Sequence, residues 1–199
     1  MFEQVNLDYF FKKTKKILDQ KKEIFSYDML GRSLSSNAFH PKDLYSLLLE
    51  NNLSTIYFSK ELEIKDNNFD CIILPTSNCQ NYDIQNLSLF RRYSQKPIIQ
   101  FDFIFDEYQI LESLVYGSDA FYLFPKMLKT LELKKLYNLA IHLGLEAIFF
   151  VENKNDINHS ILAGARIFHI EDEKLLNFLP KNKVIISKNL THLHAHIKE

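Results

Sequence analysis

Four charged residues, Asp28, Asp102, Glu171 and Lys188, stand at or near the C-terminal ends of apolar runs in this 199-residue chain. In parallel sheets such ends are where catalytic groups gather, and carboxylates beside an ammonium group can pass protons to and from a substrate. Each also has a plainer reading. Asp102 and Asp106 flank the end of "PIIQFDF", where loop capping suits them. Asp28 and Lys188 could form a structural ion pair across a barrel mouth. His169 in "RIFHIE" reads as a core histidine with its hydrogen bonds met. The tail "THLHAHIKE" sets His192, His194 and His196 two apart. On a helix His192 and His196 would share a face and could hold a metal, but no acidic partner accompanies them and no metal is expected. "SLSSNAF" lacks the glycines of a phosphate loop and reads as plain loop.

These residues need a frame. With 46% hydrophobic and 25% charged residues, the chain suits one globular domain over 1–199. A net charge of −1 gives no sign of nucleic-acid or anionic-membrane binding. Cys71 and Cys79 have neither disulfide-framework nor zinc spacing, so a reduced, cytoplasmic setting is expected. No signal peptide is recognisable, and no apolar run approaches the 18 or so residues of a membrane span.

Residues 1–22 read as an amphipathic leading helix, with Leu7, Phe10, Phe11, Ile17 and Leu18 near helical spacing. Short runs rich in Ile, Phe and Val then mark candidate strands at 23–29, 54–59, 71–76, 97–103, 120–124, 147–152, 166–171 and 184–187. Most are apolar throughout, as in strands buried on both faces. Helical patterns separate most of them, and Gly117, Gly144 and Gly164 each precede a strand, where a helix ends in a left-handed residue. Alternating strands and helices predict a TIM-type (β/α)8 barrel, small and open to being incomplete, behind an N-terminal helix. "KELEIKDNNFD" is short for a parallel crossover and could instead be a hairpin or an excursion.

The run "PIIQFDFIFDEYQ" resembles the third-strand signature P-V-L-x-K-D-F-I-x-D-P-Y-Q of the indole-3-glycerol phosphate synthase family, with Asp102, Phe103, Ile104, Asp106, Tyr108 and Gln109 in place. The likeness continues through "ILESLVYGSDAFYLF" and "LGLEAIFFVENKNDINHSILAGARIFHI". It implies a ribulose-phosphate-binding barrel of tryptophan biosynthesis that closes an indole ring with loss of carbon dioxide and water. Carried over position by position, the family's first-strand E-x-K-x-x-S-P-S falls on "SYDMLGRS", with Ser26 for the glutamate, Asp28 for the lysine and only Ser33 retained. The third-strand lysine falls on Phe101 and the fifth-strand glutamate on Phe150. The sixth-strand asparagine falls on Glu171, and the seventh-strand S-E-S-G on "SKNL", with Lys188 for the glutamate.

Phe101 and Phe150 neither give nor take a proton, and Leu190 stands where a glycine would let backbone approach a phosphate. The expectation is therefore a catalytically silent member of the family, without cofactor, catalytic residue or phosphate site, acting on another protein as an interaction or scaffolding module. The alternatives are an active carbon–carbon lyase with a site rebuilt around Asp28, Asp102, Glu171 and Lys188, or a sugar-phosphate sensor.

Overall fold

The computed structural model describes residues 7–36, 39–51, 53–61, 68–190 and 193–198. Eight parallel strands close into a barrel in chain order: β1 (Ser54–Phe58), β2 (Cys71–Pro75), β3 (Ile98–Phe101), β4 (Ala120–Leu123), β5 (Glu146–Phe150), β6 (Ile167–His169), β7 (Val184–Ser187) and β8 (Ala195–Lys198). β8 pairs with both β7 and β1, with Ser54 opposite Ala195 and Ile56 opposite Ile197. A (β/α)8 barrel is thus the observed fold, and it is complete in its strands.

Two of the expected elements differ. Residues 23–29 form no strand: α1 (Leu7–Ile24) ends there and α2 (Tyr27–Ser33) begins, with Ser26 as its N-cap accepting from Met29 N. An N-cap serine followed by a helical turn outweighs a short apolar run with no strand to pair with. The eighth strand comes instead from the histidine-bearing tail, whose alternation places Ala195 and Ile197 inward. β1 and β2 are parallel, with Ile56 opposite Cys71, so "KELEIKDNNFD" is not a hairpin turn. Among the described residues of that connection there is no helix.

Helices α4 (Gln85–Tyr93), α5 (Glu107–Val115), α6 (Thr130–His142) and α7 (Lys154–Ala163) cover the wall from β2 to β6, and a 3-10 turn at Glu173–Phe178 precedes β7. Gly117, Gly144 and Gly164 all have positive φ and end three of these helical stretches, as the sequence predicts. Alternation splits the apolar residues into two layers. Ile56, Phe58, Ile73, Ile99, Tyr122, Ile148, Ile167 and Ile186 fill the barrel, while Phe121, Phe149 and Phe168 face α5 to α7.

The barrel is stoppered at both ends. α3 (Leu44–Glu50) closes the N-terminal end: Leu44 and Leu48 are fully buried in the barrel cluster, and Tyr45 lies under the Arg166 guanidinium, 4.3 Å from ring centre. Asp119 anchors this end, accepting from Lys42 N (2.7 Å), Ile98 N (2.6 Å) and the buried Arg91 guanidinium. α1 crosses the other end beside β3, stacking Phe10 on Phe103 and packing Phe11 on Phe105 at centroid distances of 5.2 and 4.5 Å.

Candidate active site

At the C-terminal ends of β1, β3, β4 and β5 the inward positions are aromatic. Phe101 meets Phe58, Tyr122 and Phe124 edge-on at 6.2, 5.2 and 6.0 Å, and Phe150 meets Phe124 at 5.8 Å. Phe101 and Phe150 are 6% and 9% exposed, so they are walls of the mouth rather than groups offered to solvent. The strand that opens the barrel is β1, and its inward pair at the i, i+2 spacing of an E-x-K motif is Ile56 and Phe58.

Beneath these rings runs a polar chain. Tyr122 on β4 places its hydroxyl 2.9 Å from His169 Nδ1 on β6, and His169 Nε2 lies 2.5 Å from Glu171 Oε1 at the rim. Burial holds the His169 pKa below its ordinary value of 6.5, with Glu171 opposing, so the imidazole is neutral at pH 7. Neutral imidazole has one N–H. Glu171 can only accept at that contact, so Nε2 carries the hydrogen and Nδ1 accepts from Tyr122. Burial pushes the Tyr122 phenol well above 10.

The Glu171 carboxylate faces burial, which would raise its pKa, but hydrogen bonds from His169 and from backbone N–H groups outweigh it and hold the pKa below 4.5. Those donors are Lys188 N at 2.9 Å and Asn189 N at 3.1 Å, with Ser187 Oγ at 3.3 Å. The turn after β7 thus points its amides at an internal carboxylate. Glu171 remains 23% exposed in its side chain, so it presents a charged group to solvent at the mouth. Cationic Lys126 follows β4 on the same rim, 3.5 Å from Glu152 Oε2.

Of the residues singled out from the sequence, the structure brings Glu171 and the Lys188 backbone together. Asp28 is elsewhere: it is exposed in the first turn of α2, which packs on α5, between β3 and β4 and so across the barrel from β7. Ser26 caps that helix and Ser33 Oγ donates to Leu30 O at 2.6 Å, so all three are helix residues rather than strand-end groups. Asp102 follows the outward alternation of β3, where it accepts from Thr76 Oγ1 (2.9 Å) and Phe103 N (2.7 Å). Asp106 caps α5 and pairs with Lys22 at 2.7 Å. His192 lies outside the described residues; His196 is on a strand, where an i, i+4 pair shares no helix face, and no metal-binding cluster occurs among the described residues.

His169 is the core histidine the sequence suggests, yet it is also the middle of the chain to Glu171. Their i, i+2 spacing on one strand face was a readable signal. Tyr122 gave none, since β4 and β6 are not neighbours and only barrel closure makes them meet.

A model of the indole-3-glycerol phosphate synthase family matches residues 72–192. The indole-3-glycerol phosphate synthase of Campylobacter jejuni is 40% identical over 221 aligned positions, covering 92% of this chain and 84% of that protein. That of Campylobacter curvus is 33% identical, covering 97% and 87%, and that of Sulfurimonas denitrificans is 29% identical with the same coverage. The aligned stretch exceeds the 199 residues of this chain, so the relatives carry residues within it that this chain does without. These relatives overturn the expectation of a silent interaction module, since proteins bearing the enzyme's name align along nearly the whole chain. No described helix is long and apolar enough to cross a membrane. By this extent of likeness the chain belongs to the indole-3-glycerol phosphate synthase family.

Proposed function

We propose that the chain is an indole-3-glycerol phosphate synthase-like carbon–carbon lyase with a rebuilt site, in which Glu171 is the group that faces the substrate. The observation that carries this reading is the unbroken Tyr122–His169–Glu171 chain ending at the mouth of the barrel. Ring closure with loss of carbon dioxide and water needs a proton donor at the ketone and hydroxyl, and an acceptor when aromaticity is restored. Phenylalanine at 101 and 150 supplies neither, so these duties fall to another group. The Glu171 carboxylate accepts the proton and, once protonated, is the acid that returns it; His169, neutral and fixed in one tautomer, holds that carboxylate in place, with Tyr122 positioning the imidazole. The aromatic wall of Phe101, Phe124 and Phe150 suits the anthranilate-derived ring of the substrate, and Lys126 supplies positive charge on the rim for its anionic groups.

Turnover of the carboxyphenylamino-deoxyribulose phosphate substrate, followed by indole fluorescence, is the test, alongside growth of a synthase-deficient tryptophan auxotroph. Expected is measurable turnover that falls roughly 10²-fold or more in Glu171→Gln without loss of folding. No turnover by the unaltered chain, or turnover indifferent to Glu171→Gln, overturns the reading.

A further inference from the structure

A second polar centre lies outside the barrel wall, under α1, where β2 and β3 end. It encloses a cavity of about 30 Å³ lined by residues that include Thr14, Ser77, Gln100, Asp102, Gln109 and Glu112. Its hydrogen bonding can be counted. Thr76 has one hydroxyl hydrogen, and it goes to Asp102 Oδ2 at 2.9 Å. Gln100 sits 2.9 Å from the same Thr76 oxygen, so the amide nitrogen of Gln100 must face it. That fixes the Gln100 orientation and leaves Oε1 over. Gln100 is 2% exposed, and Oε1 has no hydrogen-bond partner among the described residues. Ser77 Oγ, in a residue 1% exposed, likewise has no hydrogen-bond partner among the described residues.

The charges do not balance either. Asp102 and Glu112 both border the cavity and repel one another; the ammonium paired with a carboxylate there is Lys21, 2.8 Å from Glu112 Oε1 and 31% exposed, while Lys13 Nζ donates to the neutral carbonyl of Cys79 at 3.2 Å. Burial raises the pKa of both carboxyls, so keeping the pair ionised here calls for positive charge beyond that of the partly exposed Lys21. A water would satisfy the leftover acceptors without offsetting the charge; a cation would do both. The cavity has the size of one water-sized particle. Lys21, Asn78 and Glu112 also border an open groove of about 450 Å³ between α1, α2 and α5, which gives a small ion a path from solvent.

We propose that this cavity is a binding site for a monovalent cation of water-like size, coordinated by Gln100 Oε1 with oxygens of Asp102, Glu112 and Ser77. The site holds α1 against the barrel, because Thr14 and Lys21 of that helix border it. It is distinct from the Glu171 site and stands whether or not that site turns over substrate.

The test is thermal unfolding of the full chain in sodium, potassium, ammonium and choline chlorides at equal ionic strength, near 0.15 M. Choline is too large to enter. Expected is a saturable rise in melting temperature of about 2–4 °C in at least one small-cation salt relative to choline. Gln100→Leu and Glu112→Gln should each abolish that difference. Equal melting in all four salts would mean an internal water only and overturns the proposal, as does a salt-specific rise that survives both substitutions. The salt series on the unaltered chain decides the question even if one variant fails to fold.

Discussion

Phe101 and Phe150 show how much a single residue can say. Each lies in an apolar run at a point where the resemblance implies a charge, and each is built into an aromatic cluster with Phe58, Phe124 and Tyr122. Truncating Phe101 to alanine should cost about 3–5 kcal/mol, read by urea unfolding, because neighbours held on barrel strands cannot collapse into the space. His169 carries a prediction of a different kind. Its folded-state pKa lies below 6.5, so the unfolded chain takes up the proton first. Its contribution is complete above 6.5 and is lost as pH falls through the lowered value. Glu171, held below 4.5, acts in the same direction in a more acid window, whereas Glu112, raised above 4.5, acts in the opposite one. The stability advantage of the wild type over His169→Gln should therefore shrink as pH falls below about 6.5, measured by urea titration at each pH. Residue types alone exposed the lost lysine and glutamate positions, since a phenylalanine announces itself. They did not expose the Tyr122 contact, which depends on two strands with another between them.

At the level of elements, the runs from β1 to β7 were legible because each is mostly apolar and rich in Ile, Phe or Val. The two departures have one cause. The strand pattern in 23–29 is apolar by composition, yet Ile24 is 82% exposed and Leu30 points with Leu18, Tyr108 and Leu111 into a small cluster outside the barrel. The tail looked polar, yet in β8 only every second residue needs to be apolar, and Ala195 and Ile197 meet that need. Counting apolar residues thus favoured the wrong segment at both ends. The caps were easier to read. Asp106 accepts from Tyr108 N at 2.9 Å at the start of α5, so Asp106→Ala should cost about 1 kcal/mol by chemical denaturation. Its pairing with the partly exposed Lys22 adds little, and Lys22→Ala should change stability by less than about 1 kcal/mol.

The whole molecule depends on how the barrel is stoppered and closed. Asp119, 1% exposed, ties β3, β4, α4 and the segment before α3 together through Ile98 N, Arg91 and Lys42 N. Arg91→Ala leaves that carboxylate buried with its main counter-charge gone, and a loss of about 3–5 kcal/mol is expected from equilibrium unfolding. Closure has a consequence in time as well as in energy. β1 begins at Ser54, but its partner on one side is the segment from Ala195 to Lys198. A chain emerging from the ribosome at roughly 5–20 residues per second offers β1 no such partner for many seconds. During that interval the nascent sheet keeps an open edge of unpaired N–H and C=O groups, a template for a neighbouring chain. The yield of soluble protein should then be governed by the speed and crowding of synthesis more than by the stability of the finished barrel.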